Sequence, residues 1–415
     1  MALSKSLTTL RGAAVMLNIV VGAGLLALPG LVVKEAGNQA LWAWGVAALA
    51  ALPLLLVFLL MGQRFPDAGG IAHFARTAFG PRAYAIASLI FLGAVVFGLP
   101  GIALTGGHYI AEAIGGRPAL YAILLVALAA LSHLTSTEMA GRISSAIASI
   151  ILFCLLGLVG LGFSVIDWSG AADTIASPAE LSLQTLFHPF MMIFFAFTGW
   201  EVAAGLSEEF KNPRRDFPRA MALSFVAACL LYFAMAFTIQ AVPITGSYEA
   251  SFASLLALAF GEMGRLLMAC LAALIILANL MGAIWGVSRL VFSLSREGLL
   301  PLRLKTNAQG TPFSAVLITS LVLFIGLTLD AFGLLNINAM LALAGQNFLL
   351  LYGITALALL RLSPRHADRL VALITLAVVA GLMVFQSASL LYPALLTLAG
   401  WVIGGLQHFQ EKSTA

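Results

Sequence analysis

The stretch FFAFTGWEVAAGLSEEFKNPRRDFPRA, residues 194–220, decides the fold. It begins as a membrane helix: residues 183–197 are mostly apolar and rich in Phe, Met and Ile. Thr198, Gly199 and Trp200 then interrupt the run, and Glu201 follows. A charged side chain at that depth costs about 2.5–3.5 kcal/mol and needs a partner or a water-filled cavity. Glycine beside it lets the backbone leave helical geometry. Unwound backbone at membrane depth persists only when buried in protein or lining a cavity. The stretch therefore reads as a broken helix that offers main-chain polar groups and one acid to a ligand. A kinked helix in which Glu201 pairs with a neighbour is the structural alternative.

Composition sets the solvent. Of 415 residues, 61% are hydrophobic and 9% charged, with mean hydropathy +1.05. Soluble domains carry about 25% charged residues, so the chain reads as an all-α polytopic membrane protein in one transmembrane domain, residues 1–415. A net charge of +4 does not point to nucleic acid, because the charges fall in short segments between apolar runs. Cys154, Cys229 and Cys270 lie in apolar runs without metal-ligand spacing and read as small hydrophobes. No cofactor or metal is expected. Lys5 and Arg11 precede the first apolar run, but no small-residue cleavage site follows, so the run reads as a retained helix.

Hydropathy predicts about twelve spans: 9–33, 41–61, 84–114, 119–133, 143–165, 183–206, 220–242, 263–294, 314–329, 334–360, 370–385 and 390–406. An amphipathic stretch at 69–80 is too polar to span, and a further helix near 249–260 lies outside the membrane. Lys34, Arg117 and Arg265 fall on one side of this arrangement. Every other Lys and Arg falls on the opposite side, which the positive-inside rule assigns to the cytoplasm. Both termini are then cytoplasmic, as an even number of spans requires.

The first span is broken as well, within NIVVGAGLLALP, residues 18–29. Its break and that of the sixth span lie five helices apart. A repeat of five spans places its second copy upside down. Matching interruptions in two inverted halves, here about 8–166 and 183–361, mark a transporter binding site; helices 11–12, about 368–408, stand outside the repeat. Beyond the first break a half-helix points its N-terminus at the midplane, and such an end favours an anion. Close helix packing through small residues is the alternative reading of these glycines. At the sixth break, a half-helix ends in unpaired carbonyls, which accept from an ammonium. A carboxylate site beside an ammonium site describes an α-amino acid.

Residues 194–220 resemble the sixth segment and following loop of the amino acid–polyamine–organocation (APC) superfamily, FAFxG-aromatic-E followed by EExKNPxRxxPRA. Gly22–Gly24 resembles its G-S-G-like first segment. SRLVFSLSREGLLP, residues 288–301, resembles the end of its eighth segment, and residues 66–80 its first loop. The likeness spans roughly 8–362, and the loops look most like bacterial exporters of methionine and branched-chain amino acids. It implies a multi-pass protein of the bacterial inner membrane with an APC/LeuT-like 5+5 inverted repeat. It further implies that backbone at Val21, Gly22, Ala23, Gly24 and Leu25 holds the substrate carboxylate, and backbone at Ala196, Phe197 and Thr198 the amino group. Phe195 matches the aromatic that closes over substrate. Trp200 stands beside the acid where many members carry Phe or an aliphatic residue, and Asn18 where many carry glycine.

Few polar residues other than Glu201 fall at mid-membrane: Asn18, Thr105, Asn279, Gln346 and Asn347. An apolar pocket selects apolar side chains, so the expected substrates are methionine, leucine, isoleucine and valine. The fifth span, 143–165, carries no lysine of the kind that replaces sodium in some relatives. Glu201 is the expected proton carrier, because burial raises a carboxyl pKa. The histidines read as interfacial. Efflux is the first expectation and uptake or exchange the second; oligomeric state is open. An intramembrane enzyme lacks support, since no HExxH, GxSxG or paired intramembrane aspartates occur. A channel fits paired broken helices less well than alternating access does.

Overall fold

The computed structural model describes residues 7–21, 23–64, 70–133, 137–200, 206–300, 304, 313–384 and 390–414; for 18, 23, 137–149, 208 and 407–414 it describes the backbone alone. The described chain is helical. In order, the helices are α1 (Thr9–Val20), α2 (Leu28–Ala36), α3 (Ala40–Arg64), α4 (Gly70–Phe79), α5 (Pro81–Ile114), α6 (Pro118–Ser132), α7 (Thr137–Val165) and α8 (Leu183–Phe187). They continue as α9 (Phe190–Ala196), α10 (Pro213–Gln240), α11 (Ser251–Phe260), α12 (Glu262–Arg296), α13 (Phe313–Ala331), α14 (Ile337–Leu362), α15 (His366–Val384) and α16 (Leu391–Thr414).

Seven helical runs among the described residues are long and apolar enough to cross a membrane, the longest joining α2 to α3 over Leu28–Arg64. Their outward faces are greasy. On α6, Leu120, Leu124, Leu128 and Leu131 are exposed along one stripe while Ala119, Ala122, Val126 and Ala129 are buried. A stripe at helical spacing that faces outward and is apolar is solvated by lipid, not water. The long α5 is the axis of the bundle: α6, α12, α14 and α16 all pack on it. Around it, α1 packs on α10, α9 on α14 and α3, and α15 on α14 and α3.

Three local outcomes differ from the sequence expectation. The sixth span is interrupted twice, because Pro189 has no N–H and α8 ends before it; α9 restarts with Ile193 N–H bonded to the Pro189 carbonyl at 2.9 Å. The seventh span begins at Pro213, not near residue 220, so part of the expected loop is helix. Pro213 suits that first turn, where an N–H would go unpaired. Pro218 lies further in and frees the Arg214 carbonyl, which instead accepts from Gln63 Nε2 at 2.9 Å. The tenth span starts three residues later than expected, at Ile337, where Asn336 caps it by accepting from Ala339 N–H at 2.9 Å. The expected turn at 386–389 lies outside the described residues.

Two tethers close the end of the bundle that carries most Lys and Arg. In the first, residue Leu7 pairs as an isolated bridge with Phe210, N–H to Glu209 carbonyl at 3.0 Å and carbonyl from Lys211 N–H at 3.0 Å. Thr9 Oγ1 adds a bond to Asp216 at 3.0 Å. The loop after the sixth span therefore grips the start of the first. In the second, Arg64 at the end of α3 donates to Asp368 of α15 and, at 2.6 Å, to Ser363, which in turn bonds Asp368. Asp368 is 2% exposed. Removing one partner of a buried pair strands the other charge, at a cost of about 3–5 kcal/mol. Asp368→Leu should thus lower thermal stability in detergent sharply, whereas Arg64→Met combined with Asp368→Leu should recover most of it. Equal instability of both variants would show that the pair does not dock α15.

Candidate functional site

Both expected breaks are present. α1 ends at Val20; Val21 leaves helical geometry (φ −75°, ψ 84°) while its N–H still bonds the Leu17 carbonyl at 2.8 Å. A 3₁₀ turn, Ala23–Leu26, follows, and α2 begins at Leu28 with Pro29 in its first turn. A 3₁₀ turn leaves its leading amides without acceptors inside the turn. In the sixth span, the Phe197 and Thr198 amides close tight turns onto the Phe194 and Phe195 carbonyls at 2.8 and 3.3 Å. Thr198 Oγ1 also donates to the Phe195 carbonyl, at 2.7 Å. Gly199 then takes φ +106°, a conformation L side chains rarely adopt.

The two breaks touch. A Cβ added at Gly199 would lie 3.2 Å from Val20 Cα and 3.4 Å from the Ile19 carbonyl oxygen. A side chain there would meet both a strained φ and the backbone of α1. Across this contact stands Tyr232 of α10, 1% exposed. Its hydroxyl lies 2.8 Å from the Ala196 carbonyl and 3.2 Å from the Val20 carbonyl. One proton is shared between two acceptors, one from each broken span. Tyr352 of α14 donates to the Phe197 carbonyl at 3.4 Å. Tyr109 of α5 donates to the Leu26 carbonyl at 2.9 Å and accepts from Phe252 N–H of α11 at 3.3 Å. A buried tyrosine needs a partner for its hydroxyl. Freed carbonyls need donors. Each need answers the other.

Aromatic rings form the wall. Phe197 stands edge-on to Tyr232 at 5.2 Å, with Trp44 5.8 Å from Tyr232 and Phe225 between Phe197 and Trp200. Phe194, Ala196, Phe197, Thr198 and Trp200 are buried, whereas Phe195 is half-buried. The Phe195 ring reaches across to the first break, 3.4 Å from the Cβ position of Gly24, and lies against Gly98 of α5 and Phe348 of α14. It is the side chain from the sixth span that lies over both Gly24 and α5. Val21 and Leu25 are buried beside it. Gly22, Glu201 and the side chains of Asn18 and Ala23 lie outside the described residues.

Among the other polar candidates, Thr105 bonds its own helix through the Gly101 carbonyl at 3.0 Å. Asn347 donates to the Leu343 carbonyl at 2.8 Å. The Gln346 amide and the indole N–H groups of Trp44 and Trp200 are buried and have no partner among the described residues. Unpaired buried polar atoms are rare, and each demands a cause.

Beyond the breaks, at the other end of the bundle, carboxylates hold the half-helices together. Glu35 of α2 takes Asn338 Nδ2 of α14 at 2.8 Å and His188 Nε2, from the α8–α9 junction, at 3.1 Å. Lys34 pairs with Glu249 at 2.9 Å. Burial works to raise the Glu249 carboxyl, but hydrogen bonds from Ser247 and Lys34 outweigh it and hold it at about 2, so this carboxylate is ionised at neutral pH. Arg265 of α12 pairs with Glu112 of α5 at 2.6 Å.

An all-helical membrane bundle with two facing broken spans defines the class of a solute transporter. The family model for amino acid permeases matches residues 7–408. The chain is 31% identical to an amino acid permease of Bacillus subtilis, YecA, over 96% of this chain and 95% of that one. It is 30% identical to the L-methionine/branched-chain amino acid exporter YjeH of Escherichia coli, over 86% of each chain. It is 26% identical to the low-affinity methionine permease of Saccharomyces cerevisiae, over 72% of this chain and 58% of that one. The chain belongs to the amino acid permease family of the APC superfamily.

Sequence reasoning did not find the three tyrosines. The available signal was a phenol inside an apolar span, which needs a partner, but the partner is a backbone atom up to 212 residues away. Removing the Tyr232 hydroxyl leaves two buried carbonyls short of a donor, a cost of about 1–3 kcal/mol. Tyr232→Phe should therefore lower the thermal midpoint of the purified protein, while Tyr248→Phe, at the exposed end, should not. Equal midpoints for Tyr232→Phe and wild type would show that the hydroxyl does not hold the breaks together.

Proposed function

We propose that this chain is a secondary transporter that exports neutral, hydrophobic amino acids, methionine, leucine, isoleucine and valine, across the inner membrane of a bacterium. The observation that carries the reading is the contact of the two breaks at Val20 and Gly199, bridged by Tyr232. Around it the chain is read as twelve spans with both termini in the cytoplasm, in two inverted repeats of five, with α15 and α16 outside them. The positive-inside bias supports that orientation. The substrate carboxylate lies on the backbone of Val21, Gly22, Ala23, Gly24 and Leu25, with the N-termini of the 3₁₀ turn and α2 towards it. The ammonium lies on the carbonyls of Ala196, Phe197 and Thr198. Two of these already accept from Tyr232 and Tyr352, but a carbonyl has two lone pairs, so an ammonium can join or displace a tyrosine proton.

Phe195 closes over the bound zwitterion, and Phe197, Trp200 and Trp44 give its side chain an apolar surround that favours branched or thioether groups. Asn18 lines the carboxylate end. Glu201 carries the coupling proton, taking it up on one side of the membrane and releasing it on the other. The similarity to the E. coli exporter supports both substrate and direction. Uptake is the second reading, and the yeast relative, named a permease for methionine, favours it.

Purified protein in liposomes, given labelled leucine and methionine with and without an imposed pH gradient, tests the proposal. Wild type should accumulate substrate in response to the gradient, and arginine should not compete. Glu201→Gln should bind substrate yet lose the gradient response, and Gly22→Val should lose binding while still inserting. Gradient-driven transport by Glu201→Gln would remove that residue from the mechanism, and undiminished affinity in Gly22→Val would sink the carboxylate cradle.

A further inference from the structure

At the basic end of the bundle, α4 turns into α5 through Gly80, at φ +87°, with its N–H bonded to the Arg76 carbonyl at 2.8 Å. Three guanidinium groups lie over aromatic rings around this corner. Arg76 lies 5.5 Å from the centre of the Tyr84 ring, Arg361 at the end of α14 lies 5.4 Å from that of Phe79, and Arg82 lies 5.3 Å from that of Trp401 on α16. Chain spacing keeps them together. Arg76 and Phe79 are one helical turn apart, and Arg82 follows Phe79 by three residues. The Arg82 head group also rests on α16 where Gly405 leaves room, 3.5 Å from the position a Cβ would take.

All three arginines are exposed. Among the described residues, no carboxylate lies within ion-pair distance of any of them. Among the described residues, one carboxylate, Glu297, borders the corner through the Tyr84 hydroxyl, which leaves an excess of positive charge there. Guanidinium groups bind phosphate through paired N–H donors. Stacking on rings fixes the heads in place before a ligand arrives. Two of the rings and a nearby leucine are exposed: Phe79 is 41% exposed, Trp401 53% and Leu406 62%. A ligand that suits this surface has an anionic phosphate for the arginines and apolar chains for the rings. Basic sites between helices at a membrane face take anionic head groups in this way.

We propose that the α4–α5 corner, with the ends of α14 and α16, is a binding site for the phosphate of an anionic phospholipid. The occupant is a lipid and not free phosphate, because the exposed rings and Leu406 give acyl chains a surface that inorganic phosphate would not use.

Native mass spectrometry of the detergent-solubilised full chain, titrated with phosphatidylglycerol, phosphatidylcholine or inorganic phosphate, tests this. Wild type should hold phosphatidylglycerol in preference to phosphatidylcholine, and inorganic phosphate should not displace it. The variant R76Q/R82Q/R361Q should lose affinity about tenfold, or one decade of Kd. The variant R215Q/R219Q/R369Q, which removes the same charge elsewhere on that end, should keep it. Arg82→Gln alone, at an exposed side chain, serves if the triple variant does not fold, and should weaken binding in the same direction. Equal weakening in both triple variants, equal retention of the two lipids, displacement by inorganic phosphate, or unchanged binding in Arg82→Gln would overturn the assignment.

Discussion

Everything in this bundle depends on how it satisfies backbone polar groups where no water reaches. A helix does this internally, and a broken helix does not. Two spans are broken at the same place in the fold, so carbonyls of Val20, Leu26, Ala196 and Phe197 must find donors elsewhere. They find tyrosine hydroxyls, delivered by α10, α5 and α14. The tyrosines cost little to bury, since their rings pack in the apolar wall and their hydroxyls are paired. The arrangement keeps the unwound segments defined without filling them with side chains.

That economy has a functional side. A hydroxyl that serves two acceptors with one proton leaves acceptor capacity unused. A carbonyl that accepts a long hydrogen bond, as at Phe197, keeps a second lone pair for a better donor. A charged ammonium is such a donor, because charge-assisted bonds are shorter and about twice as strong as neutral ones. The breaks can thus be stable when empty and still gain on binding. Both ends of the bundle carry tethers that differ in chemistry: backbone pairing and a buried Arg64–Asp368 pair at one end, carboxylate clusters around Glu35, Glu249 and Glu112 at the other.

Much of this was legible in the chain. Glycines that interrupt apolar runs, with a carboxylate beside the second, made residues 22–24 and 198–201 stand out. Their partnership was an expectation from the inverted repeat, and Gly199 of the sixth span lies against Val20 of the first. Span boundaries were readable to within a few residues where composition changed abruptly, as at Gly37 and Gly115. What stayed hidden was set by distant partners. Pro218 looked like a loop residue because nothing local reveals that Gln63 will bond the carbonyl it frees. Tyr232 lies inside an apolar span, and nothing local reveals that its hydroxyl will bridge two broken helices. Asp368 stands at a helix start, and its burial against Arg64, more than three hundred residues earlier, has no local signal. Pro189 was a visible signal, and its missing N–H accounts for the extra interruption.

The family fixes the broad role, and the pair of facing breaks is the site we propose for the substrate. The most direct measurement is an electron cryomicroscopy map of the protein with bound leucine. The account predicts ligand density between α1 and the sixth span, its carboxylate within hydrogen-bond distance of the amides of residues 23–25 and its ammonium against the carbonyls of Ala196 and Phe197. Density for leucine elsewhere in the bundle, with the Tyr232 bridge unchanged and the two breaks empty, would contradict it.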